Sequence, residues 1–218
     1  MPERPCPPAV PPGLCHGRPV ALVLPLAFFE RPALELAPLL LNKVLAHGPR
    51  RARILEVEAY GGEDDPASHA ARGPTPRNAS MFGPAGRLYV YRIYGLHHCA
   101  NVVSGPGASP GAVLLRALWP LAGVGAMRRA RGGGDERVLC AGPGRLCVAL
   151  GLDRTHDGAD LTDPSGPVVL TDDGTSPPER PLTGPRIGIT RARDAPWRFA
   201  VPGAVGLSRP LAPLPSGP

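Results

Sequence analysis

Lysine is almost missing from this chain. Lys43 stands alone, so arginine supplies nearly all of the 24 basic side chains among 218 residues. The cysteines are five, Cys6, Cys15, Cys99, Cys140 and Cys147, an odd number with no Cys-x-x-Cys spacing. That excludes a disulfide framework and a structural zinc site of the usual kinds. No apolar run approaches the roughly 20 residues that cross a bilayer. The first residues lack the basic start, apolar core and cleavage site of a secretion signal. A soluble, intracellular protein is the expectation. Charge is not strongly one-sided either: 24 basic against 18 acidic residues give +6, a mild preference for polyanions and no more. Arginine suits phosphate because its planar fork donates two hydrogen bonds to one group. A high-GC coding sequence would also place arginine where lysine otherwise stands, so the charge alone decides little.

What the chain has is apolar content and proline. At 43% hydrophobic residues it can bury a sizeable core and is not of the disordered class. Its 31 prolines crowd the two ends, seven of them within 1–19. Those ends read as extended or frayed segments. The expected organisation is a Pro-rich terminus over 1–19, one folded domain over 20–201 and a Pro-rich tail over 202–218.

Periodicity places the elements. The spacing from Glu35 to Leu45 predicts a helix with Pro38 near its start. Residues 53–60 alternate and predict a strand, followed by a long polar loop from Gly61 to Pro84. Two β-rich runs, 87–94 and 99–103, flank Gly95 and predict a hairpin whose tip carries Tyr94 to His98. A third strand is expected over 111–118, helices over 123–131 and 145–152, and late strands over 168–170, 187–190 and 197–201. The fold expected is mixed α/β (α+β): a single domain with a mostly antiparallel β-sheet core, flanking helices and a protruding β-hairpin.

Two places invite chemistry. Glu58 and Tyr60, two apart at a strand end, project to the same face. Glu58 reads as a water-activating base or, on the strand alone, more simply as a surface acid beside a half-buried tyrosine. His69 reads as a site residue or a plain loop histidine. In the hairpin, Tyr89, Tyr91 and Tyr94 fall within six residues of a chain only 5% aromatic. Tyr94, at the tip, either covers a neighbouring loop or enters a base stack. Arg77, Arg87 and Arg92 surround it and can meet phosphates or water. Other candidates are decoys. Adjacent residues of His97-His98-Cys99 would point to opposite faces of a strand, and neither a deaminase signature nor a zinc pairing is present. The Leu121–Gly125 turn follows a strand and Pro120, the wrong setting for a helix-hairpin-helix. Gly132-Gly133-Gly134 lacks the Gly-Lys-Ser/Thr of a phosphate loop.

Taken in order, several blocks resemble the alkyladenine (3-methyladenine, N-methylpurine) DNA glycosylase family, from about Leu26 to Val201. They are Glu56-Val57-Glu58-Ala59-Tyr60, Thr75-Pro76-Arg77-Asn78 with Met81-Phe82, and Leu88 to Gly95. Val113 to Ala117, Leu139 to Gly144 and Arg186 to Ile189 follow. The resemblance implies that Glu58 is the general base, that Arg116 helps hold Glu58 and its water, and that Ile187 offers a backbone carbonyl to that water. It implies a base pocket of Tyr60, His69 and Tyr91, with Asn101 hindering the amino group of guanine, and Tyr94 inserted into the gap in the duplex. Arg72, Arg77, Arg92 and Arg145 are the candidate contacts to the DNA backbone. It further implies a monomer acting on double-stranded DNA with damaged purines, with no metal or other cofactor, in a bacterial cytoplasm close to the nucleoid.

Physical reasoning supports the same reading. A stacked base is out of reach until it is flipped. Aromatic stacking holds varied bases, and a carboxylate can serve an oxocarbenium-like transition state. With no lysine in any block, attack by water is expected rather than a Schiff-base lyase step. Departures from the family pattern bear on substrate range. The 103–113 turn is longer, the region around Gly132 and the 69–75 loop are shorter, and Leu96 stands at the tip. The rivals are a non-catalytic nucleic-acid-binding protein and a hydrolase of free nucleosides or other small molecules.

Overall fold

The computed structural model describes residues 21–105 and 110–211. The expected Pro-rich terminus over 1–19, with Cys6 and Cys15, lies outside the described residues, as does the end of the expected tail from 212 onward. In chain order the elements are β1 (Leu22–Val23), α1 (Leu26–Phe29), α2 (Ala33–Leu40), β2 (Val44–His47) and β3 (Arg50–Tyr60). Then come β4 (Leu88–Ile93), β5 (His97–Ser104), β6 (Gly111–Ala122), α3 (Val124–Ala130), α4 (Glu136–Leu139) and α5 (Pro143–Leu150). The last are β7 (Val168–Asp172), β8 (Leu182–Gly184) and β9 (Arg198–Ala200).

Every strand pairing is antiparallel. The sheet runs β1-β7-β2-β3-β6-β5-β4, and β9 joins the far half of β3 with β8 beyond it. This is the α+β architecture expected, in one domain. Helices α2 and α5 cover one face, where Leu36, Leu40, Leu146 and Leu150 bury completely against Ile54, Val57, Val113 and Leu115. The opposite face carries a smaller cluster of Ala70, Met81, Tyr89, Val103 and Ala112. That second cluster is the floor on which the site is built.

Several boundaries move for identifiable reasons. The helix expected over 35–45 runs from Ala33 to Leu40 instead, so Pro38 sits near its end. Asn42 then turns the chain with φ +68°, a left-handed conformation that asparagine tolerates better than most residues. Its N–H donates to Ile54 O, and Val44 and Leu45 continue as strand. Lys43 is therefore not helical, and its buried ammonium pairs with Asp172 at 2.6 Å. The hairpin tip shortens to Tyr94–Leu96 because His97 and His98 already pair with Ile93 and Arg92. The strand expected over 187–190 does not form. Gly188 has φ +78°, and this stretch is a run of bends after β8.

The alternation over 53–60 predicted a strand, and β3 is one. Ala52 to Ala59 are all buried. Part of the cover is β9, paired across Glu56 to Glu58, and the chain after it. Residues 202–211, expected as loose tail, belong to the domain. Ala204 and Leu207 pack on the core, and Gly206 (φ +83°) passes so close to Arg137 O that no side chain would fit.

Candidate active site

Cross-strand register brings the site together. Tyr89 on β4 faces Asn101 on β5, Asn101 faces Leu114 on β6, and Leu114 faces Glu58 on β3. Directly opposed residues share a face, so four strands present one row to the same side. The next row sets Tyr60 against Ala112 and Ala112 against Val103. Above these rows opens a cleft of about 570 Å³. Tyr60, His69, Tyr91, Tyr94, Asn101, Arg116, Ile187, Arg72 and Arg77 line it. The chain's four tyrosines are Tyr60, Tyr89, Tyr91 and Tyr94, and all of them face this cleft.

Arg116 arrives by a bulge. Glu56 pairs with Ala117 and Val57 with Leu115, leaving Arg116 as the extra residue of β6. A bulge bends a strand and re-aims its side chain, here toward the acids of β3. Arg116 Nη1 lies 3.2 Å from Glu58 Oε1, and its Nε lies 3.1 Å from Glu56 Oε1.

Glu58 has no exposed surface. The Ile187 N–H donates to Oε1 at 2.7 Å, and the Tyr60 hydroxyl donates to Oε2 at 2.9 Å. Burial pushes the Glu58 carboxyl above its usual range; Arg116, the Ile187 N–H and the Tyr60 hydroxyl pull the other way. Burial likewise raises Tyr60, whose hydroxyl keeps its proton and remains a donor. Ile187 thus reaches Glu58 through its N–H, a contact the sequence reading did not include.

The aromatic wall is built in layers. The rings of His69 and Tyr91 meet edge to face at 4.6 Å, and His69 Nδ1 lies 3.0 Å from the Tyr89 hydroxyl. Asn78 donates to the His69 carbonyl, pinning the loop that carries the imidazole. His69 titrates below the ordinary histidine value, first because protein surrounds it and second because Arg77 is near. Burial pushes the Tyr89 hydroxyl up to about 12. Asn101 spends its amide N–H on Tyr89 O at 3.0 Å. Tyr94 stands apart, 86% exposed and with φ +52°, beside an exposed Leu96 at the hairpin tip.

The candidate phosphate contacts divide. Arg72 and Arg77 line the cleft, and Arg77 also sits over the Tyr91 ring and donates to Arg92 O. Arg92 and Arg145 are exposed but do not line it. Arg87 pairs instead with Asp160 at 3.2 Å. Arg191 lies at the cleft and was not singled out by sequence.

Other residues were missed as well. Glu56 is fully buried and binds Arg116, Arg198 and Ser208. Arg186 is locked on Asp65 at 2.6 and 2.9 Å and lies 4.7 Å from both the Tyr60 and Trp197 ring centres. A signal for both existed: an acid or arginine inside a largely apolar, strand-like run must find a charged partner when buried. Which partner it finds was not readable from sequence.

The family model described as methylpurine-DNA glycosylase matches residues 27–205. A protein of Burkholderia lata named as a 3-methyladenine DNA glycosylase is 52% identical over 191 residues, 87% of this chain and 92% of its own length. Proteins of the same name from Rhodopseudomonas palustris and Agrobacterium fabrum are 48% and 46% identical. They match 84% and 87% of this chain, and 87% and 94% of their own lengths. No helix among the described residues is long and apolar enough to cross a membrane. On the matched span and these identities, the chain belongs to the methylpurine-DNA glycosylase family.

Proposed function

We propose that this protein is a monofunctional DNA glycosylase, a hydrolase of N-glycosyl bonds that releases alkylated or deaminated purines from duplex DNA. The observation that carries the reading is the fully buried Glu58, held by Arg116, Ile187 and Tyr60, the three residues that stand between it and the aromatic cleft they line. A carboxylate oxygen accepts two donors, so Oε2, with Tyr60 on one side, has a lone pair for the proton of a water. The water oxygen attacks C1′ as the bond to the purine breaks, and Glu58 takes the proton. Arg116 and the carbonyl of Ile187 are assigned to holding that water.

Tyr60, His69 and Tyr91 would receive the flipped base, each stacking contact contributing roughly 1–3 kcal/mol. Asn101 sits where it can meet the base edge and hinder the amino group of guanine. An N-alkylated purine already carries positive charge and leaves as a neutral base. Neutral hypoxanthine needs a proton first and tests the site harder. Tyr94, mounted on the exposed tip, would fill the gap the flipped nucleotide leaves. Arg72, Arg77, Arg92 and Arg145 are proposed to meet the DNA backbone, with Arg191 added at the cleft.

Water rather than an enzyme amine is the proposed nucleophile. The only lysine, Lys43, is bonded to Asp172 and takes no part in the cleft. One chain supplies every group named, which supports a monomer as the proposed working form, and a DNA substrate supports a location with the nucleoid. A purely binding protein would gain nothing from burying an acid behind the cleft. Duplexes carrying a single hypoxanthine or 3-methyladenine test the proposal. Free base and an alkali-labile site are expected, and an intact strand with no released base would contradict it.

A further inference from the structure

We infer that Glu56 and Ser208 form a rear clamp that positions Arg116 against Glu58, making the segment after β9 a working part of the active site. The inference rests on the reading of Glu58 as the base. The Ser208 hydroxyl accepts from Arg116 Nε and Nη2, both at 3.1 Å, and donates to Glu56 Oε1 at 2.7 Å. The Ser208 N–H donates to Glu56 Oε2 at 2.6 Å. Glu56 also accepts from Arg116 Nε at 3.1 Å and from Arg198 Nε at 2.7 Å. Two sides of the guanidinium are thereby held from behind, and Nη1 is the corner left facing Glu58.

The position of the segment is itself fixed. Arg198 Nη2 donates to Arg209 O at 2.6 Å, Leu207 packs on the core, and Gly206 turns tightly against Arg137. An arginine on a strand bulge has many rotamers, and immobilising it costs conformational entropy. The clamp removes that freedom before DNA binds, as a preorganised site requires. It also balances charge, with two arginines against Glu56 and Glu58. Without Glu56, Arg116 and Arg198 would be buried with one acid between them. The groups that face Glu58 are Arg116 from β6, Tyr60 and Glu56 from β3, and the Ile187 N–H from the segment after β8. Of these, Ser208 touches Arg116 and Glu56.

Glu56 and Ser208 bond to Arg116 and neither hydrogen-bonds Glu58, so each acts through Arg116 as a positioning residue. The test measures single-turnover base release between pH 5 and 9, together with equilibrium binding to the same lesion duplex, for the full-length chain. Ser208→Ala should slow release about tenfold, the worth of one hydrogen bond to a charged group. Binding should be unchanged, and the acid limb of the profile should move to higher pH as Arg116 drifts from Glu58. Ser208→Thr, which keeps the hydroxyl, should restore both. Glu56→Gln should slow release more than Ser208→Ala, while the loss of its negative charge, which raises Glu58, draws the acid limb back toward lower pH; if it fails to fold the serine pair still decides. A Ser208→Ala protein with wild-type rate and limb overturns the clamp. So does one that loses rate and binding together with no movement of the limb, or one whose defect the threonine leaves in place. Wild-type protein that releases no base from any lesion duplex would instead sink the glycosylase reading.

Discussion

Tyr60 donates its hydroxyl proton to Glu58 Oε2 across 2.9 Å, so the residue proposed to stack on the base also steadies the carboxylate beside it. That bond lowers the proton affinity of Glu58. Tyr60→Phe keeps the ring and loses the donor. The expected result is a Glu58 that holds its proton to higher pH. Base release should then fall more at pH 5–6 than at pH 8, while lesion affinity stays within about twofold. A pH–rate profile under single-turnover conditions checks this.

The neutral state of His69 matters for a positively charged base. Its pKa is held below the ordinary histidine value, so at pH 7 the imidazole carries no charge against an alkylated purine. As pH falls through that lowered value the ring protonates and like charges meet. Affinity for a cationic lesion should therefore weaken with acid more steeply than affinity for hypoxanthine. Titration of both duplexes from pH 7.5 to 5 reads the difference. Parallel curves would remove His69 from the stacking wall.

Tyr94 separates folding from function. With 86% of its surface in water, its removal costs the fold little; exposed substitutions usually stay within about 0.5 kcal/mol. Tyr94→Ala should keep its Tm and lose most of its activity on duplex DNA. It should lose less on a single strand, where no gap needs filling. Thermal melts and paired duplex and single-strand assays check it.

Met81 tests the floor. It is 2% exposed in the cluster under the cleft, packed with Tyr89 and Ala112. Met81→Ala should cost about 2–5 kcal/mol of stability, measurable by urea unfolding. It should also weaken lesion binding, because Tyr89 supports His69 through the 3.0 Å contact.

The sequence showed a good part of this and hid the rest for physical reasons. Glu58 and Tyr60 were visible because a period of two on a strand survives folding, and the tyrosine hairpin because aromatics are scarce elsewhere. Arg116 was placed only by resemblance, since nothing in Leu114-Leu115-Arg116-Ala117 announces a bulge. Ile187-Gly188-Ile189-Thr190 alternates like a strand, yet Gly188 takes a left-handed turn and the segment serves Glu58 through an N–H instead. Ser208 gave no signal at all. It lies among prolines, and its partners Glu56 and Arg116 are 152 and 92 residues away.

The account depends most on Glu58 as the base that activates water. Glu58→Gln keeps the size and much of the hydrogen bonding while removing the charge. Its single-turnover release of base from a duplex with one alkylated adenine is the most direct measurement. The expected rate is lower by about 10²–10⁴, the usual worth of a positioned general base, with duplex binding retained. A Glu58→Gln protein that releases base as fast as wild type would contradict the mechanism.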